Sequence, residues 1–236
     1  MSDGVAGLPA RLSAIRARLG DACRRSGRSP QDVVLVGASK TQPVPVLKAA
    51  FAAGLRVFGE NRVQEGLAKA GELPREIEWH LIGPLQSNKV RVALEIFRTI
   101  HSIDRGKIAE AIDKEAGARG LAVQGFLEIN LGDEESKHGF SPRGLAEAVR
   151  PLADLENLRI VGLMAIPPQG DGPEESRPWF RKLRELRDDL AARPEWKDFP
   201  GLLSMGMSDD FEVAVEEGAT HVRVGTALFG PRNLTP

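Results

Sequence analysis

Eight short apolar runs, each followed by a segment with helical spacing, predict an α/β fold whose parallel strands close into a single-domain, TIM-type (β/α)8 barrel. Two further observations favour the closed form. The chain has 236 residues, close to the roughly 250 typical of one such barrel. The first apolar run ends in Gly37-Ala38-Ser39-Lys40, where an open doubly wound sheet would carry a Gly-x-Gly-x-x-Gly phosphate fingerprint.

The strands are expected at Val33 to Ser39, Arg56 to Gly59, Trp79 to Gly83, Arg98 to Ile103, Leu121 to Asn130, Arg159 to Ala165, Leu202 to Gly206 and His221 to Gly225. The first holds six apolar or small residues in a row, as a strand buried on both faces requires. Pro43 and Pro45 end it and suit the first turn of a helix. Apolar residues at three and four spacing place helices at Val44 to Ala53, Asn61 to Gly71, Ser87 to Phe97, Gly106 to Ala118, Pro142 to Leu152, Glu174 to Ala192 and Asp209 to Glu217. An extra N-terminal helix over residues 8–26 puts Leu8, Leu12, Ile15, Leu19 and Cys23 on one stripe, which packs on the barrel. Its arginines also suit a transit peptide, but Asp3 and Asp21 argue against an acid-poor leader. The Pro/Gly-rich stretch 167–173 reads as a long rim loop, a lid or a mobile connection.

Lys and Arg total 32 against 33 for Asp and Glu, so bulk charge drives no binding to nucleic acid or anionic membrane. An anionic ligand must be held by a local site. The single cysteine, Cys23, rules out an internal disulfide and suits a reducing, cytoplasmic setting. No run of about 18 apolar residues or secretory h-region is present, so neither secretion nor membrane insertion is expected. The four histidines stand singly, without the pairings of a metal motif, and no metal site is expected.

A barrel draws its chemistry from the C-terminal strand ends. Lys40 stands at the first of them, where partial loss of hydration favours the neutral, nucleophilic amine and makes it a carbonyl trap. An ordinary solvated surface lysine is the alternative. The seventh and eighth strands run into Ser204-Met205-Gly206-Met207-Ser208-Asp209-Asp210 and Arg223-Val224-Gly225-Thr226, small residues opening helices, where backbone N–H groups attract phosphate. Ser204, Gly225 and Thr226 are the phosphate candidates. Ser208 and Asp209 can instead cap the helix, Asp209 with Glu212 forming a capping-box variant, and capping is the favoured reading for Asp209 and Asp210. Arg223 shares a face with His221 and Gly225 by strand alternation. A guanidinium inside a barrel needs an acceptor, either a ligand's aromatic nitrogen or a carboxylate such as Glu128. His80 and His101 read as hydrogen-bonded core groups, with His80 a possible neighbour of the ligand.

Lys40, Gly59-Glu60-Asn61, the run from Trp79 through His80-Leu81-Ile82-Gly83-Pro84-Leu85-Gln86-Ser87-Asn88 to Lys89, Gly162-Leu163-Met164-Ala165-Ile166-Pro167 and the two motifs above together resemble the pyridoxal phosphate homeostasis proteins. The resemblance runs from about residue 10 to the C-terminus. It implies a single barrel similar to the N-terminal domain of bacterial alanine racemase, binding pyridoxal 5'-phosphate (PLP) through a lysine Schiff base. By position, Lys40 is that lysine, Ser204, Gly225 and Thr226 contact the phosphate, Arg223 faces the pyridine nitrogen, and Asn61 lies near the ring. Met205 is a further possible neighbour. Lys137, in a Ser-Lys-x-Gly context after the fifth strand, is a candidate second amine for release.

Many PLP enzymes set a carboxylate at the ring nitrogen to strengthen the electron sink; arginine favours the unprotonated ring and a weaker sink. Alanine racemase also uses a tyrosine from a second domain as one of two bases. This chain has zero tyrosines. The expectation is a monomeric, non-enzymatic PLP carrier that buffers the cofactor or delivers it to apo PLP-dependent enzymes. A racemase of narrow scope and a Schiff-base aldolase are the competing readings.

Overall fold

The computed structural model describes residue 5 and residues 7–134, 138–168 and 170–230. Eight parallel strands form a closed barrel in sequence order: β1 (Val34–Ala38), β2 (Val57–Glu60), β3 (Glu78–Leu81), β4 (Thr99–Ile103), β5 (Val123–Glu128), β6 (Leu158–Met164), β7 (Leu202–Ser204) and β8 (His221–Val224). β1 pairs with β8 from Val34 opposite His221 to Gly37 opposite Val224, which closes the ring. All eight expected strands are present, most ending one or two residues earlier than the apolar runs. In β5 the run continues as Ile129, which bridges to Phe140 outside the sheet.

Helices alternate with the strands: α1 (Leu8–Arg25), α2 (Val44–Ala52), α3 (Val63–Ala70), α4 (Val90–Ala93), α5 (Gly106–Ala118), α6 (Leu145–Val149), α7 (Arg177–Ala191), α8 (Phe211–Glu216) and α9 (Thr226–Phe229). Several expected helices are shorter because 3-10 turns take their ends. Ser87–Lys89 precedes α4, and Pro173–Ser176 precedes α7. Pro151 lacks the N–H that would extend α6, and the chain continues as a 3-10 turn over Arg150–Asp154. α9 was not evident from helical spacing; four residues are too few for a period to show.

Most of the apolar core lies between barrel and helices, where Phe58, Phe97, Phe180 and Phe211 are fully buried. The predicted stripe Leu8, Leu12, Ile15, Leu19 and Cys23 is buried along α1. Arginines then tie α1 to the C-terminal helices: Arg18 pairs with Glu212 at 2.7 Å, Arg25 with Glu216 at 2.7 Å, and Arg11 donates to the Leu228 carbonyl. Glu217, just past α8, collects Arg177, Arg181 and Arg184 of α7. The barrel interior is different. There Phe126 stacks on His101, and His80 and His221 lie within 6.0 Å, so polar rings fill space that branched apolar side chains usually occupy.

Leu12→Ala tests whether α1 belongs to the cooperative unit. Leu12 is 1% exposed, and the substitution is expected to cost about 2–5 kcal/mol in urea unfolding. A loss near zero would make α1 an appendage.

Candidate functional site

Lys40 leaves β1 on a backbone fixed from both sides. On one side the Ser39 N–H and hydroxyl donate to the Gly59 carbonyl, the hydroxyl also reaching Glu60 Oε1 at 2.6 Å. The Lys69 ammonium donates at 2.8 Å each to the Ser39 carbonyl, Glu60 Oε1 and Glu65 Oε1. On the other side the Thr41 N–H donates to Glu65 Oε1 at 2.6 Å. Thr41 has φ +63°, a strained conformation for a β-branched residue, held in place by this contact. Glu60 is fully buried, and its Oε2 has no hydrogen-bond partner among the described residues. Burial raises its carboxyl above the ordinary range, against the lowering effect of Lys69 and Ser39. The Lys69–Glu60 pair therefore holds the loop that presents Lys40.

Arg223, in β8, is 5% exposed. Its Nη1 donates to the Ser204 carbonyl at 2.8 Å and hydroxyl at 2.6 Å, and Nη2 donates to the Ala165 carbonyl at 3.0 Å. None of its hydrogen bonds goes to a carboxylate among the described residues, so of the two acceptors open from sequence, Glu128 is not its hydrogen-bond partner. Burial lowers its pKa to about 10, while the charges of Asp210 and Glu128 act in the opposite direction. It stays cationic at neutral pH.

The small-residue ends of β7 and β8 meet beside it. The N–H groups of Gly225 and Ala227 both point at the Ser208 hydroxyl, at 3.3 and 3.2 Å. Thr226 lies exposed at the same turn. Ser208, read from sequence as a cap, thus faces the same N–H groups as the phosphate candidates. Ser204 is turned inward, its hydroxyl engaged by Arg223 and His101. The N-cap position of α8 is Asp210, and no side chain caps that end; Glu212 is occupied by Arg18. Asp210 instead accepts from the Met207 N–H at 2.7 Å and the Ser176 hydroxyl at 2.8 Å, bracing the turn after β7. Gly206 enters that turn at φ +89°, and a Cβ there would lie 2.5 Å from that of Ala214.

Asn61 lies after β2, half-buried, on the wall of a cavity of about 580 Å³ that also includes Arg62, Lys89, Asp104 and His138. Gly83 allows the exit of β3 to pass beneath it, since a Cβ would sit 2.4 Å from the Asn61 carbonyl. A second cavity, of about 500 Å³, lies between Pro167 and Met207. Met205 points into the apolar core and is fully buried, so Met207 is the rim methionine. His80 lies inside the barrel, away from the rim, bonded to Glu78 and His101. Lys137 lies outside the described residues. Among the described residues no group of three or more His, Cys, Asp or Glu is placed to hold a metal.

Burial also lowers the His221 pKa to about 3. A base depressed in the fold contributes stability above its unfolded pKa near 6.5, and loses it as pH falls toward 3. Between pH 7 and 4.5, wild type should therefore lose about 2–3 kcal/mol more than His221→Gln in urea unfolding. Equal slopes for the two proteins would contradict the neutral, buried assignment.

Residues 11–233 match the family model for the N-terminal domain of alanine racemase. The pyridoxal phosphate homeostasis protein of Aquifex aeolicus is 48% identical over 223 residues, 94% of this chain and 97% of that protein. PipY of Synechococcus elongatus, solved with PLP bound, superposes with a TM-score of 0.81 at 38% identity, over 94% of this chain and 100% of that one. Alanine racemase from Streptomyces coelicolor shares the fold, with a TM-score of 0.67 at 21% identity over 94% of this chain and 59% of its own. On this agreement along nearly the whole length, the chain belongs to the pyridoxal phosphate homeostasis protein family, within the alanine racemase N-terminal domain class of barrels.

Proposed function

We propose that this chain binds PLP at the rim through Lys40 and serves in cytoplasmic PLP homeostasis, buffering or delivering the cofactor without catalytic turnover. The observation that carries this reading is the close relationship to PipY, which was solved with PLP bound. The residues present fit the group. Arg223 is a buried cation with no carboxylate among its acceptors in the described residues, suited to accept-only partners such as an unprotonated pyridine nitrogen. The Gly225 and Ala227 N–H groups converge with the Ser208 hydroxyl, and the exposed Thr226 stands beside them, a donor set suited to phosphate oxygens.

PLP, when bound, supplies an aldehyde that condenses with an amine and a ring that withdraws electrons. Lys40 would supply the amine for that condensation, with the aldehyde oxygen leaving as water. Lys69, Glu60 and Glu65 hold the backbone on either side of Lys40, so the amine is presented from a fixed base. Ser208, Gly225, Ala227 and Thr226 would hold the phosphate, while Arg223 would face the ring nitrogen and favour its unprotonated form. Asn61 stands across the rim on the cavity wall.

Carrier function, as against catalysis, is supported by the name its relatives carry and by the chain's own composition. With zero tyrosines, it lacks the residue type that alanine racemase uses as one of its bases. A cytoplasmic setting is supported by the single, buried cysteine, and no helix among the described residues is long and apolar enough to cross a membrane.

Purified protein loaded with PLP should show a long-wavelength absorption band that disappears in Lys40→Ala. No band after loading would defeat the reading. Incubated with common amino acids in deuterium oxide, the loaded protein should leave the α-protons unexchanged; exchange that requires Lys40 would make it an enzyme.

A further inference from the structure

A chain of hydrogen bonds crosses the barrel interior from the mouth opposite Lys40. It begins at Glu78, the first residue of β3, whose side chain is 60% exposed. Glu78 Oε1 lies 2.9 Å from His80 Nε2, and His80 Nδ1 lies 2.9 Å from His101 Nε2. His101 Nδ1 lies 2.7 Å from the Ser204 hydroxyl, which accepts from Arg223 Nη1 at 2.6 Å. The four inner members are essentially inaccessible to water.

With both imidazoles neutral, only one arrangement of protons satisfies every link. The His80 hydrogen bond holds the Glu78 carboxyl below its usual range, so it accepts only. His80 must then carry its proton on Nε2 and offer Nδ1 as acceptor. His101 donates from Nε2, leaving Nδ1 to accept the Ser204 hydroxyl proton. Burial holds the His101 pKa well below 6.5, consistent with one proton on that ring. The Ser204 oxygen is left with lone pairs facing Arg223. All dipoles run in one direction, each bond polarising the next. The other groups facing this chain do not break it: His221 contacts the His80 and His101 rings, while Asp210 and Glu128 act on Arg223 only through space.

We propose that Glu78, His80, His101 and Ser204 are positioning residues that orient the Arg223 guanidinium from behind, so that a carboxylate at the far mouth of the barrel tunes how Arg223 meets the PLP ring nitrogen. This rests on the assignment of Arg223 to that nitrogen. Without the polarised hydroxyl, Arg223 keeps only the Ser204 and Ala165 carbonyls, which leave the guanidinium plane less constrained.

The test uses the full chain loaded with PLP and reads the pH at which the long-wavelength absorption of the Lys40-bound cofactor is half lost. That band requires a proton on the Lys40 nitrogen, and a nearby cation opposes it. Arg223→Gln should therefore raise the midpoint. His101→Phe and Glu78→Gln should raise it too, each by about 0.3 pH unit or more. Simple loss of the Glu78 charge would lower the midpoint, so the sign separates positioning from distant electrostatics. Unchanged or lowered midpoints in both variants, beside a shift in Arg223→Gln, overturn the relay alone. An unchanged midpoint in Arg223→Gln overturns the ring-nitrogen assignment and the relay with it. If His101→Phe fails to fold, Glu78→Gln, changed at a largely solvated carboxylate, decides the outcome.

Discussion

A guanidinium buried near the end of β8, with no carboxylate among its hydrogen-bond acceptors in the described residues, is the constraint around which this molecule is organised. Burying such a charge is expensive unless its donors are satisfied. Arg223 is satisfied by two strand-end carbonyls, from Ala165 and Ser204, and one hydroxyl. Those acceptors exist only because β6, β7 and β8 lie side by side in a closed barrel. A carboxylate in contact would have spent the positive charge. Without one, the charge is available to whatever acceptor the rim receives, which is the basis for proposing that Arg223 meets the PLP ring nitrogen.

Lys40 is governed by a second buried charge arrangement. Its neighbours Ser39 and Thr41 are tied to Glu60, Lys69 and Glu65, and the strained Thr41 persists because those contacts determine its conformation. One end of the site thus presents an amine from a rigid loop, and the other presents backbone N–H groups at Gly225 and Ala227. A tether of this kind suits retention of a cofactor. In the proposed carrier, release would need a second amine or water to reach the carbon bonded to the Lys40 nitrogen, a step compatible with a rim bordered by cavities on both sides.

The alternation of strands and helices was legible because each element carries its own period, and the α1 stripe from Leu8 to Cys23 is buried as its spacing implied. The strand ends carrying Lys40, Arg223 and Gly225 were legible for the same reason. Ser208 was not. A serine between Met207 and Asp209 at a helix start reads locally as a cap; only the closing of β8 beside β7 brings the Gly225 and Ala227 N–H groups to it. Ser204 shows the converse: its place at a strand end suggested the rim, and strand alternation turns its side chain toward His101. The histidine chain was invisible in sequence because His80, His101 and Ser204 come from three strands whose register is set only on closure. The short helices escaped notice because prolines and 3-10 turns decide their ends.

A crystal structure of the PLP-loaded protein decides whether Lys40 and Arg223 hold the cofactor between them. The expected result is continuous density from Lys40 Nζ to the cofactor, its phosphate against Ser208, Gly225, Ala227 and Thr226, and its ring nitrogen within hydrogen-bonding distance of Arg223. Cofactor density in the cavity beside Arg62 and Lys89, with Lys40 unmodified and Arg223 still directed only at carbonyls and Ser204, would contradict it.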